Sequence, residues 1–113
     1  MTPEGVDAWC LSLPAATMTI QWEVDQVYKV GGKMFAVLGP GGTLSFKASD
    51  IAFEMLSGSG AVRPAPYMAR AKWVFLDDLG SMADADLEDY LKTAHALTAA
   101  KLTRKLQRAL GLA

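Results

Sequence analysis

Cysteine and histidine are almost missing from this chain: Cys10 and His95 stand alone. A single cysteine cannot close an internal disulfide, which fits a reducing cytoplasm, the compartment expected for this chain. One thiolate and one imidazole cannot build a three- or four-ligand zinc site. Neither charge is in excess. Lys and Arg number 11 against 12 Asp and Glu, a net charge of −1, so no global field draws in nucleic acid or an anionic membrane. Long apolar runs are missing too. The longest uncharged stretch, residues 8–22, contains Ser12, Pro14, Thr17 and Thr19, which is no transmembrane helix, and no membrane partner is expected. With Glu4 and Asp7 and no basic residue beside them, the first residues are not expected to act as a secretory signal.

What is present reads as one globular domain spanning residues 1–113, with 51% hydrophobic residues and too short a chain to divide into two cores. Thr2, Pro3 and Glu4 form a helix start: a capping oxygen, proline at the first helical position and an acid in the first turn. Val6, Trp9, Cys10 and Leu13 then make one apolar stripe, and Pro14 ends the helix. From residue 17 to 24 the period becomes two. Met18, Ile20, Trp22 and Val24 share a face expected to be buried, opposite Thr17, Thr19, Gln21 and Glu23. Asp25 and Gln26 are expected to turn the chain into a central hairpin over residues 28–49.

In that hairpin the first strand carries an internal glycine pair, Gly31 and Gly32, expected to form a bulge or tight bend with positive φ. The run Gly39, Pro40, Gly41, Gly42 reverses the chain, and Thr43, Ser45 and Lys47 alternate with Leu44, Phe46 and Ala48 on the way back. Ser49 or Asp50 caps a short helix that stops in the Gly- and Ser-rich residues 57–60. The prolines at 64 and 66 permit only a short edge strand, and residues 72–77 read as a buried one. Ser81 with Asp84 resembles a capping box for one long helix over residues 84–110, whose stripe Leu87, Leu91, Ala94, Thr98, Leu102, Leu106, Ala109 lies on the sheet. The order α-β-β-β-α-β-β-α predicts a two-layer α+β domain: an antiparallel sheet of about five strands, helices on one face, and a long C-terminal helix.

Several segments taken together carry a family resemblance: CLSLPAAT (10–17), VGGKMFAVL (30–38), LSFK (44–47), PAPYM (64–68) and KWV (72–74). They resemble the MmcQ/YjbR family over nearly the whole chain. The resemblance implies a small bacterial domain with the double-wing, frataxin-like architecture, described as predicted DNA-binding. Two features depart from the family pattern. A Ser-Tyr pair usual in the last helix reads Ala94-His95 here, and a Phe-Gly-x-Pro-like turn after the first strand is replaced by residues 22–25.

No residue set supports catalysis, a cofactor or a metal. Gly32-Lys33 lacks the P-loop frame, since Val27 and Met34 occupy the positions that need glycine and a hydroxyl. Gly58 to Gly60 is a helix stop, not a dinucleotide fingerprint. Asp84, Asp86, Glu88 and Asp89 suit the positive end of a helix. Cys10 on an apolar stripe suits an inert thiol and His95 a packed ring, with no spacing that pairs them as nucleophile and base. Charge placement supplies the functional hint. Lys29, Lys33, Lys47, Arg63, Arg70 and Lys72 dominate the middle of the chain, where strand lysines on one wet face can meet a phosphate backbone, with Tyr28 or Tyr67 for stacking. Bases from Lys92 to Arg108 are attributed to the negative end of the last helix. The reading is a non-enzymatic nucleic-acid-binding domain, monomer or weak homodimer. The alternative is a protein- or small-ligand-interaction module using the open sheet face.

Overall fold

Helix α1 (Pro3–Ser12) begins as its residues dictate: the Thr2 hydroxyl accepts the Gly5 N–H at 3.0 Å, and the helix closes just before Pro14. In the computed structural model, which describes residues 1–60, 62–65 and 68–112, it is followed by β1 (Ala16–Gln21), β2 (Asp25–Val30), β3 (Lys33–Leu38) and β4 (Leu44–Lys47). Then come α2 (Asp50–Ser59), β5 (Arg63–Pro64), β6 (Trp73–Leu76), α3 (Asp84–Ala99) and α4 (Arg104–Ala109). The strands form one open antiparallel sheet of six, in the order β1-β2-β3-β4-β6-β5. The α+β class with helices on one face holds, with one strand more than expected.

Alternation and register divide the sheet into two faces. Tyr28, Val30, Phe35, Ala36, Leu38, Leu44, Phe46, Val74 and Leu76 pack beneath Val6 and Cys10 of α1 and Leu87, Leu91 and Ala94 of α3. Leu56 of α2 joins the same core. The Trp9 indole N–H donates to the Glu88 carbonyl at 3.0 Å and ties α1 to α3. Each fully buried large apolar side chain contributes roughly 1.5–3 kcal/mol, so this single layer of contacts dominates the fold's stability. Among the described residues no helix is long and apolar enough to cross a membrane.

The extra strand comes from Gly31 and Gly32. They do not bulge a single strand; they are the two-residue turn between β2 and β3, closed by the Val30–Lys33 pair, with φ of 59° and 82°. Positive φ at both central residues matches the twist of the flanking strands, and glycine adopts it without penalty. The bulge lies nearby, where Tyr28 opposes Ala36 and Lys29 opposes Met34, leaving Phe35 as the added residue. Phe35 thereby turns into the core, fully buried.

The first strand is shorter than its alternation implied. Asp25 and Gln26 belong to β2, and the reversal falls on Trp22 and Glu23, both left-handed at φ 49° and 74°. That conformation costs a non-glycine residue about 1–2 kcal/mol. Met18 is half-buried, but Ile20, Trp22 and Val24 are exposed. They sit at the far end of the outermost strand, past the reach of the helices.

The C-terminal helix is divided. α3 ends at Ala99, and the Thr103 hydroxyl accepts the Leu106 N–H at 3.2 Å to start α4. The Gln107 side-chain amide donates to the Ala99 and Leu102 carbonyls at 2.9 and 3.2 Å, taking up acceptors the broken helix leaves free. The expected stripe is buried as far as Leu102, while Ala109 is exposed. Nor does Ser81 cap α3. It lies in a short 3-10 turn whose Gly80 N–H is held by Asp78 at 2.9 Å, and Ala83, the cap residue, offers no side-chain bond.

Candidate anion-binding site

The hairpin turn places Lys33 at the end of the sheet where β4 finishes with Lys47 and α3 finishes beside Lys101. These three lysines, with Thr98, Ala71 and Trp73, line a small notch of about 130 Å3. Lys47 is half-buried and donates to the Ala71 carbonyl, which fixes its ammonium at the notch. Burial pushes that ammonium below the ordinary lysine value. The charges of Lys101 and Lys72 push the same way, and Asp50 opposes them. Like charges are therefore gathered there, and Asp50 offsets them only in part. Among the described residues the ion pairs are Arg63 with Asp77 and the Met1 amino group with Asp84, and neither involves these lysines.

The remaining candidates are spread out. Lys29 is half-buried on the open face, opposite Thr17 and Met34; Met34 lines the notch but Lys29 does not. Arg63 is engaged: its guanidinium meets Asp77 at 3.0 Å and stacks 4.8 Å from the Phe75 centroid. Lys72, left-handed at φ 62°, lies 5.0 Å over the Phe53 ring, and Arg70 is exposed in the turn Ala69–Ala71. Tyr67 lies outside the described residues. Tyr28 cannot stack on a base, because it is fully buried and its hydroxyl donates to Asp7 at 2.7 Å.

Lys101 and Thr98 were not expected at the site. Assigning the last bases to one helix's negative end fails for Arg104 and Lys105, while Lys101 still follows the negative end of α3 and Arg108 stands at that of α4. The dipole now ends near Ala99, and Arg104 and Lys105 open α4, the end that disfavours cations. The one local signal was Thr103, a capping residue inside an apparently continuous helical run.

The family model of YjbR matches residues 11–97, well over half of the chain. The chain belongs to the YjbR family. Its fold is similar to the crystal structure of Deinococcus radiodurans protein DR2400, which carries the domain DUF419. The TM-score is 0.88 at 23% identity, covering 99% of this chain and 89% of that chain. No curated protein matches.

In this YjbR chain His95 is a packed residue. Its ring sits edge-on to Phe35 at 5.3 Å, and Nε2 lies 2.7 Å from the Pro14 carbonyl, which can only accept, so Nε2 carries the proton. Cys10 is fully buried, and among the described residues no hydrogen bond joins it to His95. Burial, and secondarily the charge of Asp7, pushes its thiol up from 9.0 to about 12. Iodoacetamide at pH 8 should leave the native YjbR protein unmodified over the time in which denatured chain reacts fully. Burial and the bond to Asp7 raise the Tyr28 phenol as well. Both groups keep their protons in the folded state after the unfolded chain has released them. Their contribution is complete below pH 9 and is lost as pH rises through the window from 9.0 toward 12. Urea melts should show stability falling across that range, and a flat profile would contradict the burial of both groups.

Proposed function

We propose that this protein is a non-enzymatic DNA-binding domain that holds the phosphate backbone at the lysine end of its sheet. The observation that carries the reading is the convergence of Lys33, Lys47 and Lys101 on one notch without an ion-paired carboxylate among the described residues. A phosphate oxygen there relieves the repulsion felt by Lys47 and accepts from several ammonium groups at once. It agrees with the predicted DNA-binding role that the family resemblance implies.

The charge layout favours one orientation of approach. α3 runs from Asp84 and Asp86 in its first turn to Ala99, just before Lys101. Its 16 residues span about 24 Å at 1.5 Å per residue. The acidic end is turned away when the lysine end meets DNA, so a chain of net charge −1 still presents a local cationic pole. With Tyr28 buried and Trp73 only 5% exposed, the described aromatics near the notch offer no stacking platform. Recognition therefore rests on phosphates and is expected to be indifferent to sequence. Anisotropy titrations with labelled duplex at several salt concentrations should give a log–log slope of about −3, the value for three to four neutralised phosphates. Absence of binding at low salt up to about 100 µM, the weak end of non-specific affinity, overturns the reading.

A further inference from the structure

The two edges of the sheet are treated differently. β5 closes one edge with two residues, Arg63 and Pro64, and shortness, a charge and a proline are the usual devices that keep a foreign strand away. β1 closes the other edge with six residues, ATMTIQ. It carries no charge, no proline and no bulge against β2. At its end Ile20, Trp22 and Val24 are 56%, 61% and 58% exposed, and Trp22 is held there by a left-handed backbone that its side chain disfavours.

We propose that two copies of this chain pair through β1, antiparallel across a twofold axis, to make one continuous sheet. An unpaired row of backbone donors and acceptors is satisfied by another strand, and a strand without charge meets its own copy without repulsion. Same-face pairing allows a register centred on Thr19 or one centred on Met18. Within β1 the two registers overlap equally. The Thr19 register sets Met18 of one copy opposite Ile20 of the other and Thr17 opposite Gln21, whereas the Met18 register sets Ala16 opposite Ile20 and Thr17 opposite Thr19. In either register Met18 and Ile20 gain apolar neighbours on the helix-bearing face, and the threonines lie together on the open face. The lysine notch belongs to other strands and helices, so the dimer does not depend on DNA.

Sedimentation velocity on the full chain without nucleic acid tests the proposal. A concentration-dependent dimer is expected, and Ile20→Lys/Trp22→Lys should sediment as a monomer. A monomeric wild-type chain at its highest soluble concentration, or a double variant that still dimerises, overturns it. Should the double variant melt early, mild oxidation of Thr19→Cys and of Met18→Cys, made separately, provides the second readout. Buried Cys10 stays out of the reaction, so a disulfide-linked dimer from either variant supports β1 pairing and reports its register. No crosslink from both overturns it.

Discussion

Replacing Gly31 with valine should lower stability by about 3 kcal/mol, while the same change at Gly32 should lower it by about 1–2 kcal/mol. The two glycines share one turn and both have positive φ, at 59° and 82°, which a β-branched residue tolerates poorly. Only their surroundings differ. A Cβ on Gly31 would lie 2.6 and 2.8 Å from the methyl carbons of Leu102, whereas a Cβ on Gly32 meets nothing within 4 Å. Leu102 is 7% exposed and part of the core, so its methyls have little room to retreat. Urea denaturation of both variants measures the difference. Leu102→Ala placed in the Gly31→Val background should recover part of the loss, and a double-mutant cycle isolates that term. Equal losses at the two glycines would show that the contact with Leu102 carries none of the cost.

The second large effect is on DNA. Lys33→Glu/Lys101→Glu should weaken duplex binding at low salt by about 100-fold or more, and Lys33→Gln/Lys101→Gln should reduce the salt slope by about 2, near one unit per phosphate contact. These two lysines are exposed, so circular dichroism and melting should be unchanged. Lys47 is less suitable, because it is half-buried and bonded to Ala71, and an acid there would strain the fold. Three controls follow from placement. Lys29→Glu lies on the open face. Lys92→Glu is exposed on α3, and Arg108→Glu stands in the last turn of α4, where a cation is favoured locally. Each should change affinity several-fold at most. Equal sensitivity of controls and notch lysines would place the DNA contact elsewhere, or make it a diffuse charge effect.

Much of the fold was legible because local chemistry spoke without competition. Thr2-Pro3 started α1 and Ser49 capped α2, whose Ala52 N–H it holds at 3.1 Å. The glycines around Pro40 reversed the chain, and the proline at 64 marked a short edge strand. The failures have definite causes. A glycine pair flanked by strand-formers reads equally well as a bulge or a hairpin turn, and only the Val30–Lys33 pairing decides. Apolar alternation announces a strand but not what covers it, so Ile20, Trp22 and Val24 were expected inside although no helix reaches them. The break after Ala99 involves no proline or glycine; a threonine hydroxyl and a glutamine amide make it. Because of that break, one of the three lysines of the candidate site was invisible. Lys33 and Lys47 were read from the strands, but Lys101 joins them only through the way α3 ends over the sheet.

The seat of Leu102 over Gly31 also bears on how the molecule opens. Leu102 occupies the short link between α3 and α4, and its carbonyl is held by Gln107 of α4. Whatever lifts α4 loosens that link, and with it the cover on the turn between β2 and β3. The two segments are far apart in sequence, yet they are expected to open as one cooperative unit, with their amides exchanging with solvent in the same event. Lys33 and Lys101 flank that unit. The lysine end is therefore expected to lose its geometry in that local opening, ahead of the unfolding of the sheet.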